Sequence, residues 1–584
     1  MIDRTDPAFL SVARGDAPGD LLVENARIVN VFTRAIVEGS ILVHQGRIAR
    51  VLSRGERADA TERVDAGQRL ALPGFIDAHI HIESTMLPPS QCASLMVAHG
   101  TTALVADPHE IANVAGMPGI RWMMEDALAA PMRVWFTASS CVPASNLETA
   151  NATLSCDDLA PLFDDPRVVA LAEMMNFPGT IAGDPSLMAK IALGLARRGR
   201  VDGHAPGLRG DRLQAYIAAG PSSDHESFTA DEARDKLALG QRVFIREGSA
   251  ARNLAALVGL VTPANAHRIC FCTDDVHASE IVDDGHLDRV IRRAAALGLD
   301  GPTAVAMASL HVAEHFGLRD FGAIAPGMAA DFSLGETRQG DWTDLTIERT
   351  FVAGKLVARD GECTMPAITI PVPPFLRRTV HLGPTLSALD FRPIARNGVP
   401  ARVVGIVPGE IVTTHLRELP AVKDGRVVAD PARDLLLLAS IERHGRSGHV
   451  GAGLVRGFGM RSGAIASTVG HDAHNLSVAG VDAEDMLVAA KRLEAIGGGQ
   501  CVVEGGRVLA ELPLPIAGLL SDEPGSVVGA RQHSMLAAYE SLGGVLHDPF
   551  MQLAFLPLSV IPSLKVSDCG IIDVDQFRIV GLQD

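Results

Sequence analysis

Two imidazoles two residues apart, His79 and His81, sit in the stretch LALPGFIDAHIHIESTM at residues 70–86. Imidazole nitrogens are common ligands for catalytic divalent metals. If this stretch is a strand, side chains alternate faces with a period of two. His79 and His81 then point the same way, as do Asp77 and Glu83. A pair so placed can hold one metal from a rigid support. A bare His-x-His is weak evidence, and two histidines on a half-buried strand is the plainer reading. Four further polar residues shift the balance, because each falls near the end of a later apolar run: Glu173, His204, His225 and Asp274. Any one of them has a plain explanation as a strand end, a turn residue or a helix cap. Six ligand-type residues in series are harder to explain that way.

The elements that would position them begin at residue 73. Candidate strands are 74–81, 101–107, 132–137, 168–173, 201–205, 222–226, 242–247 and 269–275. Segments with helical spacing and a closing glycine lie between them, such as PSLMAKIALGLARRG. Eight strands with helical crossovers in about 250 residues match a (β/α)8 TIM-type barrel, an α/β fold whose chemistry sits at the C-terminal ends of the strands. The sixth strand is short and polar. Residues 20–52 read instead as antiparallel strands broken by turns. Beyond residue 383 strands and helices mix, and AEDMLVAAKRLEAIGGG reads as a helix with Asp482 as N-cap and Gly497 ending it.

Several function classes are excluded. The chain has 584 residues, more than one core can hold, so two to four domains are expected. A net charge of −17 with no basic run argues against nucleic-acid and anionic-membrane partners. No apolar run is long enough to span a bilayer, and the first residues lack the apolar core of a signal peptide. The eight cysteines are scattered, and Cys270 and Cys272, two apart on a strand, cannot be read as a disulfide. A reducing cytoplasm is the expected location. GAGLVRG at 451–457 has the wrong spacing for a dinucleotide loop. VGHDAHN at 469–475 offers His471, Asp472 and His474 as a second metal site, or, as the favoured reading, a turn that approaches the barrel mouth.

The order HxH, Glu, His, His, Asp on strands one, four, five, six and eight resembles the amidohydrolase superfamily, as does the opening phrase LPGFIDAHIH. HIHIEST, DPHEIANV, AEMMNFPG, DGHAPG, SDHES and FCTDDVH, with VGHDAHN and LPLPIAGLLSD further on, resemble the adenine deaminase family within it. The resemblance implies a small β-sandwich from residues 1–72 and 321–382, a metal-dependent barrel over 73–320 and a C-terminal α/β domain of the adenine deaminase type over 383–584. It implies two divalent metals bridged by Glu173, where many relatives use a carboxylated lysine. By strand order His79, His81, Glu173 and Asp274 would serve one metal, and Glu173, His204 and His225 the other. Nitrogen and oxygen ligands without sulfur permit Zn2+, Fe2+ or Mn2+, and the resemblance favours manganese or iron. The implied reaction is hydrolysis of adenine to hypoxanthine and ammonia in purine salvage, by a cytoplasmic enzyme expected to be a homodimer.

Deamination at C6 needs an activated water and two proton transfers. Asp274 is the expected shuttle from water to the leaving amine, and Glu83 the acid that protonates N1. Asp275 and His109 are secondary. On a strand Asp274 and Asp275 would face opposite ways, so only one could be a ligand. Two other classes remain: a hydantoinase- or dihydroorotase-like hydrolase of cyclic amides, and a non-catalytic binding protein on the same scaffold. The first usually carries the bridging lysine, and the second would be expected to have lost ligands. The zinc cytidine-deaminase fold needs H-x-E followed by P-C-x-x-C, and no Pro-Cys occurs in the chain.

Overall fold

Apolar runs buried on both faces become parallel strands covered by helices. In the computed structural model, which describes residues 3–366, 368 and 370–584, eight such strands follow in order. They are β1 (Phe75–Ile80), β2 (Thr101–Ala106), β3 (Arg133–Ala138), β4 (Val168–Met174), β5 (Val201–Gly203), β6 (Ser223–Asp224), β7 (Arg242–Arg246) and β8 (Ile269–Cys272). Met1, Ile2, Ala367 and Thr369 fall in the expected small β-domain and lie outside the described residues. β1–β5 form one parallel sheet, half of a barrel, and β6–β8 form a second. The sheets meet at both edges. At one, Ile80 bridges Asp274, the Asp274 N–H donates to the His79 carbonyl at 2.9 Å, and the His81 N–H donates to the Asp274 carbonyl at 3.0 Å. At the other, the Ser222 N–H donates to the Val201 carbonyl at 2.9 Å.

The strands are shorter than the sequence suggests. β6 has only two residues, and β8 stops at Cys272, before the aspartate pair. Asp274 takes a left-handed φ of 60°. The alternation rule therefore does not apply to Asp274 and Asp275, and the expectation that they face opposite ways is corrected. Glu83 also leaves the strand: residues Ile82–Thr85 form a 3-10 turn.

The short strands on either side of the barrel sequence join in one sheet. Leu70–Pro73 pairs in parallel with Gly19–Asn30 and antiparallel with Phe332–Glu336. The expected sandwich is a single nine-stranded sheet, because Gly19–Asn30 changes partner along its length, from Ala60–Asp65 to Leu70–Pro73. Gly74 links this sheet to β1 where a Cβ would collide with Thr102.

The C-terminal region builds an eight-stranded sheet with helix Ala483–Ile496, capped by Asp482 and by Gly497 at φ 83° as the sequence predicts. Its loops lie on the barrel. Ile411, Met551, Phe555, Leu558 and Ile561 share one apolar core with Cys141, Ala144, Met175 and Ala250 of the barrel loops. Burying side chains of this kind stabilises by about 1.5–3 kcal/mol each, so the two regions are bound over the mouth. All eight cysteines are free thiols. Among the described residues no helix is long and apolar enough to cross a membrane.

Candidate metal centre and active site

The ends of β1, β4, β5, β6 and β8 converge. The Nε2 atoms of His79 and His81 lie 3.2 Å apart. Glu173 stands between two groups of imidazoles. Its Oε1 is 3.2 Å from His81 Nε2 and 3.6 Å from His79 Nε2, and its Oε2 is 2.5 Å from His204 Nδ1 and 3.2 Å from His225 Nε2. Asp274 Oδ1 is 3.2 Å from His81 Nε2, and its Oδ2 is 4.0 Å from His225 Nε2. All six residues are buried.

This donor set fits divalent cations. Among the described residues, both ring nitrogens of His204 and His225, and Glu173 Oε2, are buried with no partner in hydrogen-bond geometry, close as they lie to one another. Buried polar atoms are normally satisfied, so lone pairs left converging mark a place for a cation. His79, Glu173 and His225 bring ligand atoms within 4.8 Å of one another, as do His79, His81 and Asp274. One carboxylate with an oxygen toward each group has the layout of a bridge.

An outer layer orients the donors. Asp202 Oδ2 lies 3.2 Å from His79 Nδ1, and His81 Nδ1 lies 3.2 Å from the Asp107 carbonyl. Such partners fix which nitrogen a metal-binding histidine presents. Sequence reasoning missed Asp202, though it stands two residues before His204 and period-two spacing could have found it. It also missed Glu226. Arg246 pairs with Glu226 and, at 2.6 Å, with Asp274 Oδ2, which leaves Oδ1 toward the histidines. Burial raises the Glu173 carboxyl, but His204 and His225 hold it well below the usual carboxylate range. Burial works the same way on Asp274, and Arg246 and His81 override it. Burial lowers His79, yet Asp202 and Glu173 bring it up to about 10. These carboxylates already attract positive charge.

A small cavity opens over the donors. Its walls include His81, His109, Glu173, His204, Asp274 and Asp275 from the barrel, and Ile411, His471, Asp472 and Phe555 from the C-terminal region. Both aspartates of the pair face it. Glu83 is not part of the wall. Its turn aims Oε1 at the Ile111 N–H, 3.1 Å away, and burial with Glu110 nearby pushes its pKa up to about 8. Asp275 accepts from Ser84 Oγ, and burial and Asp274 raise its pKa. His109 Nδ1 lies 2.9 Å from Asp107 Oδ2 and 3.6 Å from Glu173 Oε1. VGHDAHN is the turn at the barrel mouth: His471 Nδ1 lies 3.0 Å from Glu110 Oε1, and its ring stacks on Phe555 at 4.7 Å.

Residues 70–357 match the amidohydrolase family, and residues 410–578 match the adenine deaminase C-terminal domain. An adenine deaminase of Desulfatibacillum aliphaticivorans is 44% identical over 577 residues, covering 99% of both chains. The chain belongs to the adenine deaminase family. Other family members include one from Nitratidesulfovibrio vulgaris, 47% identical with 97% of each chain covered, and one from Cereibacter sphaeroides, 45% identical over 98% of this chain and 99% of that one. The family likeness extends over the converging donors and the loops that wall the cavity.

Proposed function

We propose that this chain is an enzyme that hydrolyses adenine to hypoxanthine and ammonia, in the cytoplasm and as a homodimer. The observation that carries the reading is the likeness to adenine deaminases, which runs through the C-terminal region as well as the barrel. The same reading takes the five- and three-stranded parallel sheets as one closed (β/α)8 barrel over residues 73–320. It takes 1–72 with 321–382, and 383–584, as the two accompanying domains.

Two divalent ions, manganese or iron with zinc also compatible, would be held by His79, His81, Glu173 and Asp274 on one side and by Glu173, His204 and His225 on the other. A bound divalent metal acidifies water to a pKa of about 7, which makes a nucleophile available near neutral pH. Asp274 takes the proton from the attacking water and delivers it to the exocyclic nitrogen as ammonia leaves. Arg246 steadies Asp274 during both transfers. Attack at C6 pushes electrons onto N1, and a neutral carboxyl must protonate it. Glu83 is assigned that role. A place on the cavity wall favours Asp275 as a second reading, with His109 beside it.

Ammonia release from a panel of free bases and nucleosides, with metal analysis of the same sample, tests the proposal. Adenine should be turned over and two equivalents of metal found. If adenine is inert while a hydantoin or dihydropyrimidine is opened, the cyclic-amide hydrolase takes its place.

A further inference from the structure

The deamination chemistry gives no role to Asp472 of the cavity wall. Asp472 comes from the C-terminal region, is 1% exposed, and neither of its carboxyl oxygens has a hydrogen-bond partner among the described residues. The nearest imidazole nitrogens, His109 Nε2 at 3.7 Å and His471 Nδ1 at 3.8 Å, are beyond hydrogen-bond reach, and His471 Nδ1 is turned to Glu110 at 3.0 Å. A desolvated carboxylate with no donor is strongly disfavoured.

The loop that carries it is nevertheless held from several sides. Arg443 donates to the His474 carbonyl and, at 3.1 Å, to the Ala517 carbonyl. Asn475 Nδ2 donates to Asp568 Oδ1 and to the Thr149 carbonyl, both at 3.0 Å. A carboxylate with imidazoles at ion-pair distance but no hydrogen-bond donor, fixed at a cavity wall, leaves a place for a donor on the ligand.

We infer that Asp472 recognises the free base by accepting the N–H of adenine's five-membered ring. This rests on the adenine-deaminase reading. An ionised carboxylate only accepts. On adenine N1, N3 and the unprotonated imidazole nitrogen are also acceptors. Two kinds of donor remain: the exocyclic amine and one ring N–H, on N9 or N7. The amine is bonded to the carbon under attack, so it must lie among Glu173, Asp274 and the histidines. Asp472 stands farther out, on the far side of one imidazole: His109 Nδ1 is 3.6 Å from Glu173 Oε1 and its Nε2 is 3.7 Å from Asp472 Oδ1. Glu173, Asp274 and Asp472 line the same cavity, so a base with C6 at the donors turns its five-membered ring toward Asp472. A nucleoside carries a sugar carbon in place of the N9 proton, so it meets a carboxylate to which it donates nothing there, as well as a wall.

The test uses the full-length, metal-loaded enzyme with adenine, 7-deazaadenine (which keeps N9–H), 9-deazaadenine (which keeps N7–H) and 9-methyladenine. Wild type should accept one deaza base and reject the other, since only one ring N–H is read. In Asp472→Asn, kcat/KM for adenine should fall about 10- to 100-fold, the range for a hydrogen bond to a charged group. The loss should lie mainly in KM, metal content should be unchanged, and 9-methyladenine should be unaffected. An equal loss on adenine and 9-methyladenine, or a loss confined to kcat, overturns the inference. If the variant does not fold, the wild-type panel decides alone: equal turnover of both deaza bases, or 9-methyladenine handled as well as adenine, refutes it. Wild type inert toward adenine is a different failure, that of the deaminase reading.

Discussion

Lys565 offers a direct measurement of how the C-terminal region is tied to the cavity. Its ammonium is buried on strand Leu564–Ser567 and donates to the Ile411 carbonyl at 2.8 Å and the Phe555 carbonyl at 3.0 Å. Both acceptors belong to wall residues. Burial pushes the lysine down from 10.5 to about 7. The folded state therefore holds this proton less tightly than the unfolded chain, and between the two values the unfolded chain binds more protons. Stability must rise with pH across that window. At about 1.36 kcal/mol per unit, the penalty for the buried charge is about 4 kcal/mol at pH 7 and about 2 kcal/mol at pH 9. Lys565→Met removes the penalty at every pH. It also leaves two carbonyls without a donor, a cost of about 1–3 kcal/mol each that does not change with pH. The variant should lose about 2 kcal/mol relative to wild type between pH 7 and pH 9. Urea unfolding of both proteins at both pH values measures this, and the difference cancels every other titrating group. KM for adenine should also rise, since two wall residues lose their tether. A stability difference that does not change with pH would show that the ammonium is hydrated or paired, and would refute the reasoning.

Asp274→Asn should lower kcat by about 10²- to 10⁴-fold, the usual worth of a general acid–base group, in protein that retains its metals by analysis. Glu83→Gln and Asp275→Asn, compared across pH, should separate the two candidate donors to N1: the variant whose kcat collapses marks the acid, and full activity in Glu83→Gln moves the role to Asp275. Glu173→Gln should reduce metal occupancy, because an amide bridges more weakly than a carboxylate; unchanged occupancy in a fully active variant would end the bridging role. A chain ending near Asp360 should be inactive, since it lacks Ile411, His471, Asp472 and Phe555 from the cavity wall; full activity would make the C-terminal region dispensable.

The convergence of these imidazoles and carboxylates was legible in the sequence because most of them end short apolar runs, and barrel strands present side chains at their C-terminal ends. The strand limits were less legible. His81, His204 and His225 each lie one residue past a strand, and Asp274 two past. Hydrophobic runs mark where burial ends, but here the hydrogen-bond ladder stops one or two residues before these side chains. Glu83 shows the consequence. Counted along an extended strand it faces the histidines, and a single 3-10 turn takes it to the Ile111 N–H. Asp202, Glu226 and Arg246 were missed or passed over for a different reason: their roles are to hold other side chains, and pairing across strands leaves no trace in local spacing.

The C-terminal loops are the part that no local pattern could place, since nothing in VGHDAHN states which surface it will meet. Once placed, they explain why the chain is long. The barrel alone supplies the converging imidazoles and carboxylates on one side of the cavity. Recognition of the opposite edge needs a second wall, and that wall comes from about 300 residues downstream of Glu173, as Asp472 and its neighbours. The apolar core shared by Met175, Phe555 and Ile561 holds the wall in register. Displacing the loop by one hydrogen-bond length would leave the donors intact and misplace the base, so damage to the C-terminal region should appear as lost substrate affinity before it appears as lost metal.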